Sequence, residues 1–170
     1  MVRIALPLLA ALVLPFAAEA QPRAQPQRLG AHQSWTAATH QEGGQKICYA
    51  FARSGDGENA ARRNVMLTVT HRPAGRDQVA VSVGQALPRG AEAVMTVTSS
   101  GGNNDFRSYG VVGASAFFQG GTTLIDAFRA GRDAMVRTPG AGGRPVTDTF
   151  SLIGFTAAYE AISRECPARR

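Results

Sequence analysis

The chain has 170 residues, of which 44% are hydrophobic, and a formal net charge of +6. This length suits one domain with a real core, and no stretch after residue 20 is long and apolar enough to span a bilayer. Lys46 is the only lysine, and the arginines stand singly or in pairs. Because a nucleic-acid groove needs clustered basic residues interleaved with aromatics, the composition argues against a nucleic-acid partner and indicates weak attraction to acidic surfaces.

The N-terminal residues have the pattern of a secretory signal. Arg3 precedes an apolar run over residues 4–18, and the small-residue ending Ala18-Glu19-Ala20 follows. We therefore expect a signal peptide over residues 1–20, cleaved before Gln21, and a periplasmic or secreted protein. A membrane anchor is the alternative, but the run is shorter than the ~20 residues that a spanning helix needs.

The rest of the chain divides by composition. Residues 21–33 are rich in glutamine and proline and predict a flexible tether. Residues 34–167 alternate apolar segments with turn signals and predict one β-rich domain, followed by a tail over residues 168–170.

Six to eight short strands are predicted within this domain. The clearest are residues 64–71 and 77–84, which alternate apolar and polar side chains and are joined by a loop with proline and glycine, as in an antiparallel hairpin. Residues 99–105 are predicted as a loop, and residues 106–119 remain ambiguous. The other predicted strands cover residues 34–39, 46–53, 91–99, 132–138 and 146–152.

Two helices complete the prediction. Thr123 and Asp126 resemble a capping box that opens a short helix, and Gly131 is predicted as its left-handed C-terminal cap. The second helix begins at Phe155, and its apolar residues recur on one stripe up to Cys166. The fold class is therefore mainly β: an antiparallel β-sandwich or a partly open barrel with a short helix and a C-terminal helix.

The only two cysteines are Cys48 and Cys166. In an exported chain without a CxxC motif, they predict one structural disulfide. Two buried free thiols are the alternative.

No motif for catalysis, a cofactor or a metal emerges. His40 and His71 lack the spacing of metal ligands, so no catalytic, cofactor-binding or metal-binding residue is predicted. The carboxylates are interpreted as surface caps or turn residues, although acidic side chains need only be near in space to act together. The carboxylates considered are Asp105, Asp126, Asp133 and Asp148.

Several separated segments resemble the invasion-associated locus B family of exported bacterial proteins. The resemblance extends from about Trp35 to Cys166. Its most recognisable part is residues 147–155, TDTFSLIGF, leading to Glu165-Cys166. The other matching segments are Lys46-Ile47-Cys48-Tyr49, Thr70-His71-Arg72-Pro73, residues 79–83, Ala130-Gly131 and Met135-Val136.

This resemblance implies a small β-rich periplasmic or surface-exposed domain, linked in some bacteria to entry into host cells, without established catalytic residues. The sequence thus predicts an exported, non-enzymatic, envelope-associated or surface-binding protein. Its partner would be an unknown protein or an acidic component of the envelope or host surface. The alternative function is a periplasmic enzyme, such as a hydrolase, acting on a cell-wall or glycan substrate.

Overall fold

The computed structural model describes residues 25–55, 62–140 and 144–168. The predicted signal peptide lies outside the described residues. The described part contains ten strands and two helices: β1 Gln27–His32, β2 Trp35–Glu42, β3 Gln45–Arg53, β4 Met66–Arg72, β5 Gly75–Ser82, β6 Val94–Ser99, β7 Gly102–Val112, β8 Ser115–Phe118, α1 Gly121–Ala130, β9 Gly131–Pro139, β10 Pro145–Ser151 and α2 Phe155–Glu165.

All ten strands belong to one antiparallel sheet with the order β1-β2-β3-β4-β5-β8-β7-β6-β9-β10. The sheet curls until its two ends approach. The amide of Gly55, beyond β3, donates to Thr149 O of β10 at 3.2 Å, and Trp35 Nε1 donates to Ser151 O at 2.9 Å. The predicted mainly β class is confirmed, and the arrangement is a partly open barrel.

The two helices pack their apolar faces on the core inside this curled sheet, and their other faces lie at the surface. The predicted apolar stripe of α2 is buried: Phe155, Ala158, Tyr159 and Ile162 face the core. The ring of Phe155 packs edge-on against Trp35 and Phe128, with centroids 4.9 and 5.2 Å away. Burial of these large rings removes apolar surface from water and so stabilises the curled sheet.

Glycine at residue 154 permits the sharp entry into α2. It has φ = +94°, and a Cβ at this position would collide with the carbonyl oxygen of His32. A side chain would therefore be excluded by both the backbone conformation and the space. The contact joins the start of α2 to the turn between β1 and β2.

Four predictions about local structure are wrong. Residues 27–32 of the expected tether form β1, and residues 102–105 of the expected loop begin β7. The capping box is absent because α1 begins at Gly121, before Thr123, without a side-chain cap. Gly131 is extended rather than left-handed, and it has no room for a Cβ, which would lie 2.7 Å from Val97 Cγ1.

The structure joins Cys48 of β3 to Cys166 after α2 by a disulfide, with the two Cα atoms 6.0 Å apart. The bond fixes the end of α2 to the inner face of the sheet. No helix among the described residues is both long and apolar enough to cross a membrane.

Candidate functional site

A pocket of about 430 Å³ opens beside the disulfide, between the β4–β5 hairpin and the end of α2. Its walls come from the start of β3, from residues 71–76 and from residues 165–168. Because the disulfide and the hairpin both hold these segments, the pocket has a fixed frame.

Three cations line this pocket, against one carboxylate. Lys46 Nζ lies 2.5 Å from Glu165 Oε1, and Arg72 pairs with Glu42 outside the pocket. Arg76 forms no ion pair with a carboxylate of the described residues; its guanidinium donates to Cys166 O and, at 3.2 Å, to Ser163 Oγ. No carboxylate of the described residues is therefore within ion-pair distance of the Arg76 guanidinium.

A polar network forms the floor of the pocket around His71. The register between β4 and β5 shifts at this residue, so His71 lies at a β-bulge. Its side chain is buried, and its ring packs edge-on against Tyr159 with centroids 5.2 Å apart. Tyr159 Oη in turn donates to Asp77 Oδ1 at 2.7 Å. Asp77 has φ = +56°, a conformation that aspartate tolerates better than most residues.

The protonation of this network follows from its burial. Burial, reinforced by the positive charge of Arg76, lowers the pKa of His71 to about 4, and the opposing charge of Asp77 only partly offsets this. Burial and the bond to Asp77 raise the pKa of Tyr159. His71 is therefore neutral at pH 7, and the net positive charge of the pocket comes from the lysine and arginine side chains.

Ser163, His71 and Asp77 come together in a way that superficially resembles a hydrolase triad. Ser163 Oγ lies 3.1 Å from His71 Nε2, and His71 Nδ1 lies 3.6 Å from Asp77 Oδ1. However, the backbone N–H of Asp77 points at Nδ1 from 3.4 Å, so Nδ1 accepts and the ring proton belongs on Nε2. A triad needs the opposite tautomer, with Nε2 free to take the proton of the serine. The network therefore favours a structural role.

The other residues considered from the sequence lie elsewhere. His40 is on the outer face of β2, where its ring meets Tyr49 at 5.3 Å between centroids. Asp105 accepts a hydrogen bond from Thr96 on the surface. Asp126 and Asp133 belong to α1 and β9, and neither lines the pocket.

The interpretation of the carboxylates as surface caps or turn residues is wrong for Asp148. Its side chain is 1% exposed and forms two hydrogen bonds with the guanidinium of Arg62, at 2.5 and 2.9 Å. Arg62 Nη1 also donates to Val83 O at 2.7 Å. A buried carboxylate requires such a partner, and this one lies 86 residues away in the sequence. No group of three or more His, Cys, Asp or Glu side chains in the described part of the chain is arranged to hold a metal ion.

Comparison with known proteins gives a family and a related structure. Residues 35–163 match the family model described as invasion associated locus B (IalB) protein. The crystal structure of invasion associated protein b from Bartonella henselae is similar in fold, with a TM-score of 0.59 and 17% sequence identity, over 80% of this chain and 95% of that chain. A search of the curated proteins finds no match. Since the family model covers most of the chain, the protein belongs to the IalB family.

Proposed function

We propose that this protein is an exported, non-enzymatic binding protein whose pocket beside the disulfide receives an anionic group of an envelope or host-surface component. The observation that carries this proposal is the excess of cations: Lys46, Arg72 and Arg76 line a pocket with one carboxylate. Guanidinium groups bind carboxylate and phosphate oxygens in a paired geometry, and Arg76 has no carboxylate partner among the described residues to compete for such a contact.

Export is supported by the sequence pattern of residues 1–20 and by the disulfide. Disulfides persist in oxidising compartments, such as the periplasm and the cell exterior, and are rare in the cytoplasm. The disulfide also forms part of the pocket wall through Cys166. We infer that the pocket takes its shape after export, when the bond forms.

The proposal that the protein is not an enzyme is supported by the directions of the hydrogen bonds around His71. The imidazole donates through Nε2, and Ser163 Oγ also accepts from Arg76, so the hydroxyl has no base to take its proton. The periplasmic hydrolase remains the alternative because Ser163, His71 and Asp77 do converge beside a pocket.

The first test compares binding of the protein to vesicles that contain phosphatidylglycerol with binding to vesicles of phosphatidylcholine alone. The second test measures binding of inorganic phosphate by calorimetry. We expect binding to the anionic probes only. Arg76→Gln should weaken it about tenfold because one charge-assisted hydrogen bond is lost. Lys46→Gln should weaken it less and leave the fold intact, since the ion pair that Lys46 forms among the described residues is with the half-buried Glu165 at the surface.

Arg107→Gln is the matched control. Arg107 is exposed and pairs with Glu92 away from the pocket, so its loss should not change binding. Equal weakening by all three variants would show only general attraction between a basic protein and an anion, and would contradict the proposal. Hydrolysis of a cell-wall or glycan substrate that Ser163→Ala abolishes would establish the alternative function.

A further inference from the structure

A second feature lies on the outer face of the sheet, away from the pocket. Tyr49 and Phe51 project from β3 to the side opposite Cys48 and Ala50, which face the core. Their rings are stacked, with centroids 6.0 Å apart and planes inclined by 25°. They form part of a shallow depression of about 380 Å³ lined by Pro26, Arg28, Thr36, Ala38, Tyr49, Phe51 and Arg53, which we term the outer aromatic patch.

The cross-strand neighbours of the two rings are small. Tyr49 is flanked across the strands by Ala38 and Thr70, and Phe51 has threonines on both sides. Both rings are half-buried: the ring of His40 packs edge-on against Tyr49, and Arg53 lies over Phe51. The accessible part of each ring is therefore the part that stands above its small cross-strand neighbours. α2 contacts the same strands through their inner face, as the packing of Phe155 on Trp35 shows, and none of the described elements covers the patch.

Two arginines border the rings. Arg53 lies over Phe51, with its guanidinium carbon 5.9 Å from the ring centroid. Arg28 of β1 pairs in register with Ala38 of β2, and Ala38 pairs with Tyr49 of β3. Neither arginine forms an ion pair with a carboxylate of the described residues, and the lining of the patch contains no acidic side chain. The patch is thus apolar and flat at its centre and positively charged at its rim.

We propose that the outer aromatic patch binds an acidic sugar, a pyranose that carries a carboxylate within a glycan. The C–H face of the sugar ring packs on the aromatic faces, which offer apolar area at little cost in side-chain entropy. The carboxylate is bound by Arg53 or Arg28 in the bidentate geometry that guanidinium favours. The threonine hydroxyls beside the rings are hydrogen-bonding partners for the sugar hydroxyls.

This ligand follows from the complementarity of the patch. A purely apolar partner would leave two guanidinium groups desolvated without an opposite charge, which is costly. An inorganic anion would leave the ring faces unused. An acidic sugar offers a carboxylate to the guanidinium groups and a C–H face to the aromatic rings. The volume of the depression lies within the range of small-ligand sites. The site shares no lining residue with the pocket beside the disulfide, so the inference does not depend on the function proposed for that pocket.

The test uses tetragalacturonate and its methyl ester, which has the same sugar rings without the charge. We expect calorimetry and NMR titration of the protein to show binding of the acid and at least about tenfold weaker binding of the ester, because the charge-assisted hydrogen bonds are lost. Arg53→Gln and Arg28→Gln should each weaken binding of the acid but not of the ester. Tyr49→Leu, which keeps the apolar volume but removes the flat ring, should weaken binding of both, with thermal unfolding as the check on folding.

Arg107→Gln, which alters neither the patch nor the pocket, is the matched control and should bind tetragalacturonate as the unaltered protein does. Loss of binding in Lys46→Gln, with the patch variants unaffected, would place the glycan in the pocket and overturn this inference while supporting the function proposed above. No binding of tetragalacturonate at low salt, or binding of neutral phosphatidylcholine vesicles through Tyr49, would also overturn it.

Discussion

The two ends of the barrel both contain charged side chains. At one end the charges are buried as an ion pair, and at the other an arginine beside a pocket has no carboxylate partner among the described residues. Near the end of β5, Arg62 and Asp148 are buried against each other and joined to Val83 O. At the start of β5, Arg76 lines an open pocket and has no carboxylate partner among the described residues. The difference teaches that a buried charge must be matched by a counter-charge inside the protein, whereas Arg76, at the edge of a pocket, needs only the neutral acceptors Cys166 O and Ser163 Oγ. It is this side chain that we propose binds an anion.

The energetics of the two ends differ for the same reason. Breaking a buried ion pair leaves a desolvated charge without compensation, which costs about 3–5 kcal/mol. Exposed pairs such as Lys46 with Glu165 contribute about 0–1 kcal/mol, because water screens them. The end of the barrel that contains Arg62 and Asp148, which we term the closed end, should therefore lose much stability on substitution of these residues. The end that contains Lys46, Arg76 and the pocket, which we term the open end, should lose little.

The largest expected effect is at the closed end. Asp148→Asn should lower the free energy of unfolding by about 3–5 kcal/mol, because Arg62 would remain buried without its counter-charge. Urea denaturation measures this, with Glu92→Gln, which removes the exposed partner of Arg107, as a control expected to cost less than about 1 kcal/mol. The double variant Arg62→Met, Asp148→Leu should recover most of the loss. Equal stability of Asp148→Asn and the unaltered protein would contradict the assignment.

A smaller effect should appear beneath the pocket as pH changes. His71 has a pKa lowered to about 4 in the folded protein, against about 6.5 when unfolded, so between these values the unfolded chain binds the extra proton. Stability should therefore fall by about 3 kcal/mol as pH drops from 6.5 to 4, a loss that is complete below pH 4. Chemical denaturation at a series of pH values measures the slope.

Two variants separate this contribution from those of other titrating groups. His71→Asn should flatten the slope between pH 6.5 and 4, since the titrating group is gone, whatever its effect on stability at pH 7. His40→Asn, on the outer face of β2, should keep the slope because His71 is still present. An unchanged slope in His71→Asn would show that His71 is not a source of the pH dependence.

The sequence predicts the parts of the fold where local pattern and tertiary role agree. Leu67 and Val69 alternate with polar residues, and both are buried in β4. The stripe of α2 is equally visible because its period of three and four is set by the helix itself. β1 and the start of β7 escape prediction since their side chains are exposed or half-buried and the strands are held by backbone pairing, which leaves no hydrophobic pattern.

The site is less predictable because its members come from distant segments. Tyr159, Asp77 and His71 meet only when α2 packs against the β4–β5 hairpin. The sequence nevertheless contains part of the evidence for these buried polar residues. His71 continues the inward alternation of Leu67 and Val69, and Asp148 shares the buried face of β10 with Phe150, so both positions could have been predicted as buried polar residues that need partners. Their partners could not be identified from spacing.

The central claim, that the open end of the barrel is the binding end, is tested most directly by NMR titration of the ¹⁵N-labelled protein with inorganic phosphate. We predict saturable shifts confined to the amides of the pocket lining and none at Arg62 or Asp148. The lining residues that have an amide proton are Lys46, His71, Arg72, residues 74–76, Glu165, Cys166 and Ala168. The same titration of Arg76→Gln should lose most of the saturation. Small linear shifts spread over the whole surface, or saturable shifts at a different part of the sheet, would contradict the claim.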